Sequence, residues 1–301
     1  MSENTTEEIK TAEEKKNIRK AYIFLSFIPF AILMAVQSAT VLPGLILSML
    51  EMDRKGIPME MASMLEIFNQ NYAIYSYIIY CVISIAVLLP WYYKGFVKKN
   101  PKVDYKKAFG FKPVVLIVLI LICLYLVLCG MFAIADKTLP SVMQKYYYLM
   151  KLSSIGTNML VTIVYGYMLG PVAEELAFRG LIFCMLEKAK LHYMLVILIQ
   201  GLLFGIMHMN PVQSVYAFLI GTVFGYLRYK YKTVILSIGS HIVFNILGTS
   251  VEIFLEEKGF SDMQRLIFAA VAAVMLVVLF IVVSKDKCSY LKENKDADTA
   301  S

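Results

Sequence analysis

The residues of this chain whose types could do chemistry inside an apolar setting are few and lie close together in sequence. They are Glu174, Glu175 and Arg179 in "GPVAEELAFRG", His208 in "FGIMH", and His241 and Asn245 in "HIVFN". Each sits in a run that is otherwise almost wholly apolar. An ionisable side chain there is costly unless it faces protein or a water-filled cavity, so it marks a functional site by default. Spacing says which of them can meet on one helix. Glu175 and Arg179, His241 and Asn245, and Phe204 and His208 are i, i+4 pairs, which share a face. Glu174 points about 100° away from Glu175 around the same helix. This division makes Glu175 and Arg179 a structural ion pair and turns Glu174 toward a cavity. A glutamate, two histidines and a carboxamide around a wet pocket are the parts needed to hydrolyse an amide. The carboxylate accepts a proton from water, helped by one histidine, and the second histidine and the asparagine donate to the developing oxyanion. No serine, cysteine or compact metal motif is required. The same groups would also serve as a proton relay in a small transporter, but that predicts paired broken helices in two related halves, and one break is visible.

The elements that must position these residues are membrane helices. The 301 residues are 59% hydrophobic and 17% charged, with a mean hydropathy of +0.68, which excludes an ordinary soluble domain. The expected fold class is all-α: a polytopic membrane helix bundle of about eight transmembrane helices. Apolar spans fall near 21–39, 72–91, 113–135, 153–173, 193–208, 212–228, 233–252 and 265–284, the fifth and sixth being short enough to enter the membrane without crossing it. The tails and loops on the side of the termini, with Arg179 and Arg228 counted among them, carry 22 of the 29 Lys and Arg, and those on the other side carry seven. That bias reads both termini as cytoplasmic in an integral protein of a bacterial-type cell membrane. It also accounts for the net charge of +7, so no nucleic-acid module is implied. Aromatic runs such as Trp91, Tyr92 and Tyr93 read as interfacial belts.

Gly170 and Pro171 predict a kink or break in the fourth helix, because proline removes one hydrogen bond and crowds the carbonyl four residues back. A new helical segment starting there would place Glu174 and Glu175 in its first turn. A short amphipathic helix is expected on the outer face, with Pro58 near its start and Ile57, Met61, Met64, Leu65 and Phe68 recurring at helical spacing. Five cysteines without CxxC spacing predict neither a disulfide framework nor a thiolate metal site. The expected depths pose a problem. His208 falls near the outer end of the fifth span, His241 about 12 Å inside the inner start of the seventh, and Glu174 toward the inner side. They meet only if span boundaries shift, if the fifth and sixth helices form a deep hairpin, or if the cavity is tall.

In order and separation, "EELAFR", "FGIMH" and "HIVFN" resemble the EExxxR, FxxxH and HxxxN/D motifs of the CAAX protease and bacteriocin-processing family of intramembrane proteases, also called CPBP or Abi. The resemblance covers about residues 115–250. It implies an intramembrane endopeptidase acting on a membrane-associated protein or peptide, with Glu174 and His208 activating water, His241 and Asn245 forming the oxyanion site, and Glu175 and Arg179 supporting them. No cofactor is expected; the alternative is zinc held by Glu174, His208 and His241. The resemblance also permits a bacteriocin self-immunity binding protein that needs no proteolysis. The expected organisation is a cytoplasmic tail (1–20), N-terminal transmembrane helices with a basic inner loop (21–112), the catalytic core (113–252), and a last transmembrane helix with a second cytoplasmic tail (253–301).

Overall fold

The computed structural model describes residues 3–151 and 159–291; the opening of the fourth expected span, 153–158, and the tail beyond 291 lie outside the described residues. The protein is an all-α bundle. Its helices are α1 (Glu3–Leu25), α2 (Ile28–Lys55), α3 (Met61–Asn71), α4 (Ala73–Gly95), α5 (Tyr105–Ala108), α6 (Phe111–Thr138), α7 (Pro140–Lys151), α8 (159–188), α9 (Tyr193–Met207), α10 (Pro211–Tyr231), α11 (Val234–Glu257) and α12 (Asp262–Lys285). Among the described residues, four stretches are long and apolar enough to cross a membrane, Glu13–Lys55, Ala73–Lys99, Phe111–Thr138 and Asp262–Lys285. The expected first span is thus the middle of a longer α1–α2 unit, which is interrupted only by a turn at Ser26 and Phe27 and resumes with Pro29 in the first turn of α2. Residues 13–20 are exposed, as a charged tail should be. The outer-face helix starts at Met61, three residues after Pro58, and buries Phe68.

Two apolar clusters hold the bundle together. One packs the second half of α8 against α2, α4 and α9; the other packs α6 against α10, α11 and α12. Every residue from Glu175 to Leu186 is buried, which makes α8 the central helix and explains why its sequence is apolar on all sides. Around it, lipid-facing surfaces of α2, α4, α6 and α12 leave large apolar side chains exposed.

The fourth helix does not break at Gly170 and Pro171. Residues 159–188 stay helical throughout, and the irregularity is absorbed as two π-helical stretches, Thr162–Leu169 and Leu176–Ile182, on either side of Gly170–Glu175. The Gly170 amide bonds to the Tyr165 carbonyl, five residues back. Changing between α and π registers leaves a carbonyl under-used at the transition, and side chains take up one from each stretch. Asn245 Nδ2 donates to the Gly166 carbonyl at 2.8 Å, and Arg228 Nε donates to the Arg179 carbonyl at 3.1 Å.

α9 has 15 residues, about 22 Å, too short for a hydrocarbon core of about 30 Å. It stops short of a full crossing and returns at once as α10. His208 closes α9, Met209 adopts a left-handed backbone (φ 52°), and the Asn210 side chain caps α10 by accepting from the amides of Val212 and Gln213 at 3.1 Å. The two helices touch along glycines. A β-carbon on Gly205 would lie 2.5 Å from the Ser214 carbonyl oxygen, and one on Gly221 would lie 3.0 Å from the Gly201 Cα. Such small-residue contacts are how apolar helices approach closely where no hydrophobic force drives them together.

Candidate active site

Among the described residues Arg179 is the largest fully buried side chain. Its Nη1 donates to Glu175 Oε1 at 2.8 Å, the i, i+4 pairing that the spacing predicts, and its Nη2 donates to the Gly221 carbonyl at 3.1 Å. Both side chains of the pair are 0% exposed. The guanidinium lies 4.5 Å over the Phe204 ring and 5.3 Å over Phe224, so aromatic faces and a backbone carbonyl replace the water it has lost.

Glu175 Oε1 is shared. His241 Nδ1 lies 2.9 Å from it. A carboxylate oxygen only accepts, so the proton is on Nδ1, and the other nitrogen, Nε2, is turned toward Glu174, 3.9 Å from its Oε2. The chain Arg179, Glu175, His241, Glu174 therefore runs from the core to a cavity. Glu174 and Glu175, neighbours in sequence, face opposite ends of this chain because about 100° of helical rotation separates them.

That cavity has a volume of about 740 Å³, and Glu174, His208, His241 and Asn245 all line it. His208 Nδ1 donates to the Phe204 carbonyl at 2.8 Å, which leaves its Nε2 as the free ring nitrogen. The Phe204 ring packs edge-on against both imidazoles, with centroids 5.0 Å from His208 and 5.8 Å from His241. One phenyl ring thus spaces the two histidines and also supports Arg179. All six residues singled out by sequence converge here. His192, the third histidine, lies outside the site, accepting from the Met194 amide at the start of α9.

The depths that conflicted in sequence are reconciled by the short hairpin. Because α9 is short, His208 at its end lines the same cavity as Glu174, which lies about midway along α8. Arg179 and Arg228 belong to this core and not to inner loops.

Sequence reasoning missed Gln200. It is fully buried, and its Nε2 donates to the carbonyls of Gly221 and Ile197, both at 2.8 Å. Gly221 O therefore receives both Arg179 and Gln200, which ties α8, α9 and α10 at one point. A lone glutamine in "VILIQGLLFG" was the available signal, since a polar residue in an apolar helix needs a partner. The cavity walls of Tyr77, Tyr165 and Tyr216 had no readable pattern.

The zinc alternative asks Glu174, His208 and His241 to converge on one ion. They line one cavity, but among the described residues no three His, Cys, Asp or Glu side chains are gathered as a metal site requires. In this arrangement the three do not form a ready ligand set.

No curated protein and no solved structure matches this chain. Residues 156–247, which contain all six site residues, match a family model described as type II CAAX prenyl endopeptidase Rce1-like. The match coincides with the helices that build the cavity floor and hold the buried Arg179–Glu175–His241 chain. This segment is thus similar to the type II CAAX prenyl endopeptidases, and the apolar helices around it are those of an integral membrane protein.

Proposed function

We propose that the protein is a metal-independent intramembrane endopeptidase in which Glu174 activates water against a peptide bond of a membrane-associated protein or peptide. The observation that carries this is the polarity of the buried chain. Arg179 fixes Glu175, Glu175 holds the proton of His241 on Nδ1, and His241 Nε2 faces Glu174 at the floor of the cavity. Glu174 and the free Nε2 of His208 are the acceptors available to a water molecule. As water attacks the scissile carbonyl, Glu174 takes its proton. The oxyanion then receives the remaining N–H of Asn245 and, when His241 is protonated at Nε2, a second donor whose positive charge is offset by Glu175. Glu174 returns its proton to the departing amine, the C–N bond breaks, and the carboxylate is restored.

Asn245 has a second duty in this scheme, because one of its N–H groups already holds the Gly166 carbonyl. The test is cleavage of a membrane-peptide library by purified, reconstituted protein. Glu174→Gln is expected to lower turnover by roughly 10²- to 10⁴-fold, the usual worth of a general base, without a change in melting temperature. Activity should survive a zinc chelator. Cleavage by Glu174→Gln at the parent rate would sink the proposal, and chelator-sensitive cleavage would replace the metal-free route with zinc.

A further inference from the structure

The cavity has a direction. On α8 its lining begins at Thr162 and stops at Glu174; on α11 it begins at His241 and stops at Gly248; on α6 it runs from Tyr125 to Asp136. α8 and α6 run in opposite senses, yet on all three helices the lining lies on the same side of the catalytic residues, the side of α7 and of the start of α12. On the other side the protein is solid. From Glu175 to Leu186 every residue of α8 is buried, and Arg228 fills the space beneath, donating to the Arg179 carbonyl and to Cys184 Sγ at 3.4 Å and lying 5.2 Å over the Phe183 ring.

The end that carries the termini is also strapped shut. The segment after α12 folds back so that the Asp104 amide donates to the Tyr290 carbonyl at 2.9 Å, Lys112 pairs with Asp286 at 3.3 Å, and Lys230 Nζ donates to the Asp286 carbonyl. The open end, by contrast, is polar at the rim. Asp136 is exposed there and accepts from Tyr147 at 3.1 Å, and Gln213 and Arg265 line the wall.

We infer that this site takes its substrate from the membrane face opposite the termini. Lys and Arg lie overwhelmingly on the side of the termini, and the bias survives the removal of the two buried arginines from the count. That side is therefore cytoplasmic and the mouth is extracytoplasmic. The substrate class follows, resting on the endopeptidase reading: a peptide segment presented on the outer side, either an exported peptide or the outward end of a membrane protein, and not the lipidated C-terminus of a cytoplasmic protein. With the floor about midway along α8, the scissile bond must reach about 20 Å below the outer end of that helix, so the substrate enters as an extended or unwound chain.

The test reads accessibility and needs no cleavage. Single variants Gln213→Cys and Asp136→Cys are made in the full-length protein carrying Cys129→Ala, since Cys129 lines the cavity; Cys81, Cys123 and Cys184 are buried, and Cys288, exposed just past α12, reports the opposite side. A charged, membrane-impermeant maleimide should label Gln213→Cys and Asp136→Cys in intact cells and leave Cys288 untouched, with the reverse in inverted vesicles. Three results overturn the inference: labelling of the cavity positions from the same side as Cys288, labelling of the cavity positions only from the cytoplasmic side, or no labelling of them from either side. If labelling is as expected but the reconstituted parent cleaves nothing in the peptide library, the endopeptidase reading fails while the sidedness stands.

Discussion

The pair Arg179–Glu175 can be tested by removing one charge and then both. At 2.8 Å, and with an effective dielectric near 20, the attraction is about 6 kcal/mol. Desolvation of two fully buried ions offsets much of this, so the pair is a weak net stabiliser but a strong liability when broken. Loss of a single partner should cost about 3–5 kcal/mol. Glu175→Gln keeps the shape and an acceptor for His241 but strands the guanidinium with the Gly221 carbonyl and two aromatic faces. Arg179→Met leaves the carboxylate with the His241 N–H alone. The double variant removes both charges and should recover at least about 2 kcal/mol relative to the sum of the singles, a coupling that a double-mutant cycle isolates. In detergent, each single variant is expected to melt on the order of 10 °C below the parent, with the double variant between. Cleavage should be lost in Glu175→Gln and in the double variant, because neither holds His241 with a charged carboxylate, and reduced in Arg179→Met, where Glu175 keeps His241 but loses the guanidinium that fixes it. Strict additivity of the two losses would refute the claim that the pair is energetically coupled. Parent-like cleavage by the double variant would refute the claim that Glu175 positions His241.

Gly205→Ala should lower stability by about 1–3 kcal/mol and reduce cleavage by displacing the His208 turn, since its β-carbon would meet the Ser214 carbonyl at 2.5 Å; Gly239→Ala, with nothing within 4 Å, should be neutral or slightly stabilising in the same melts. Asp286 is held below the usual carboxylate range chiefly by the Cys288 amide, and further by Lys112 and Tyr290. Its contribution is complete above the ordinary aspartate range and is lost as pH falls through its lowered value. Proteolysis of the C-terminal strap should therefore accelerate in acid for the parent, whereas Asp286→Asn should be cut readily even at neutral pH. Equal strap protection in both at neutral pH would remove Asp286 from that role.

Much of this site was legible because helical periodicity is a local property. The i, i+4 spacing of Glu175 with Arg179 and of His241 with Asn245 placed each pair on one face before any fold was known, and Glu174 was assigned to the cavity by its rotation from Glu175 alone. The expectation at Gly170 and Pro171 captured an irregularity but not its form. Proline's missing amide can be accommodated by a break or by a register change, and the choice depends on whether neighbours such as Asn245 and Arg228 can take up the carbonyls that a register change sets free. Counting Arg179 and Arg228 as loop charges failed for a related reason. Charge type sets the cost of burial, but only surrounding acceptors and aromatic faces decide whether the cost is met.

By itself, then, the sequence determined the membrane setting, the all-α class and the pairs that share a helix face, and it proposed six candidate site residues, because hydropathy and the 3.6-residue period act over a few turns. Only the tertiary structure decided that His241 belongs to Glu175 through one nitrogen and faces Glu174 with the other, that a 15-residue α9 hangs His208 at the depth of Glu174, and that the cavity opens away from the termini. Those relations join residues far apart in the chain, 66 positions for Glu175 and His241. They depend on where helices stop and how closely their glycines let them approach, which no local pattern encodes.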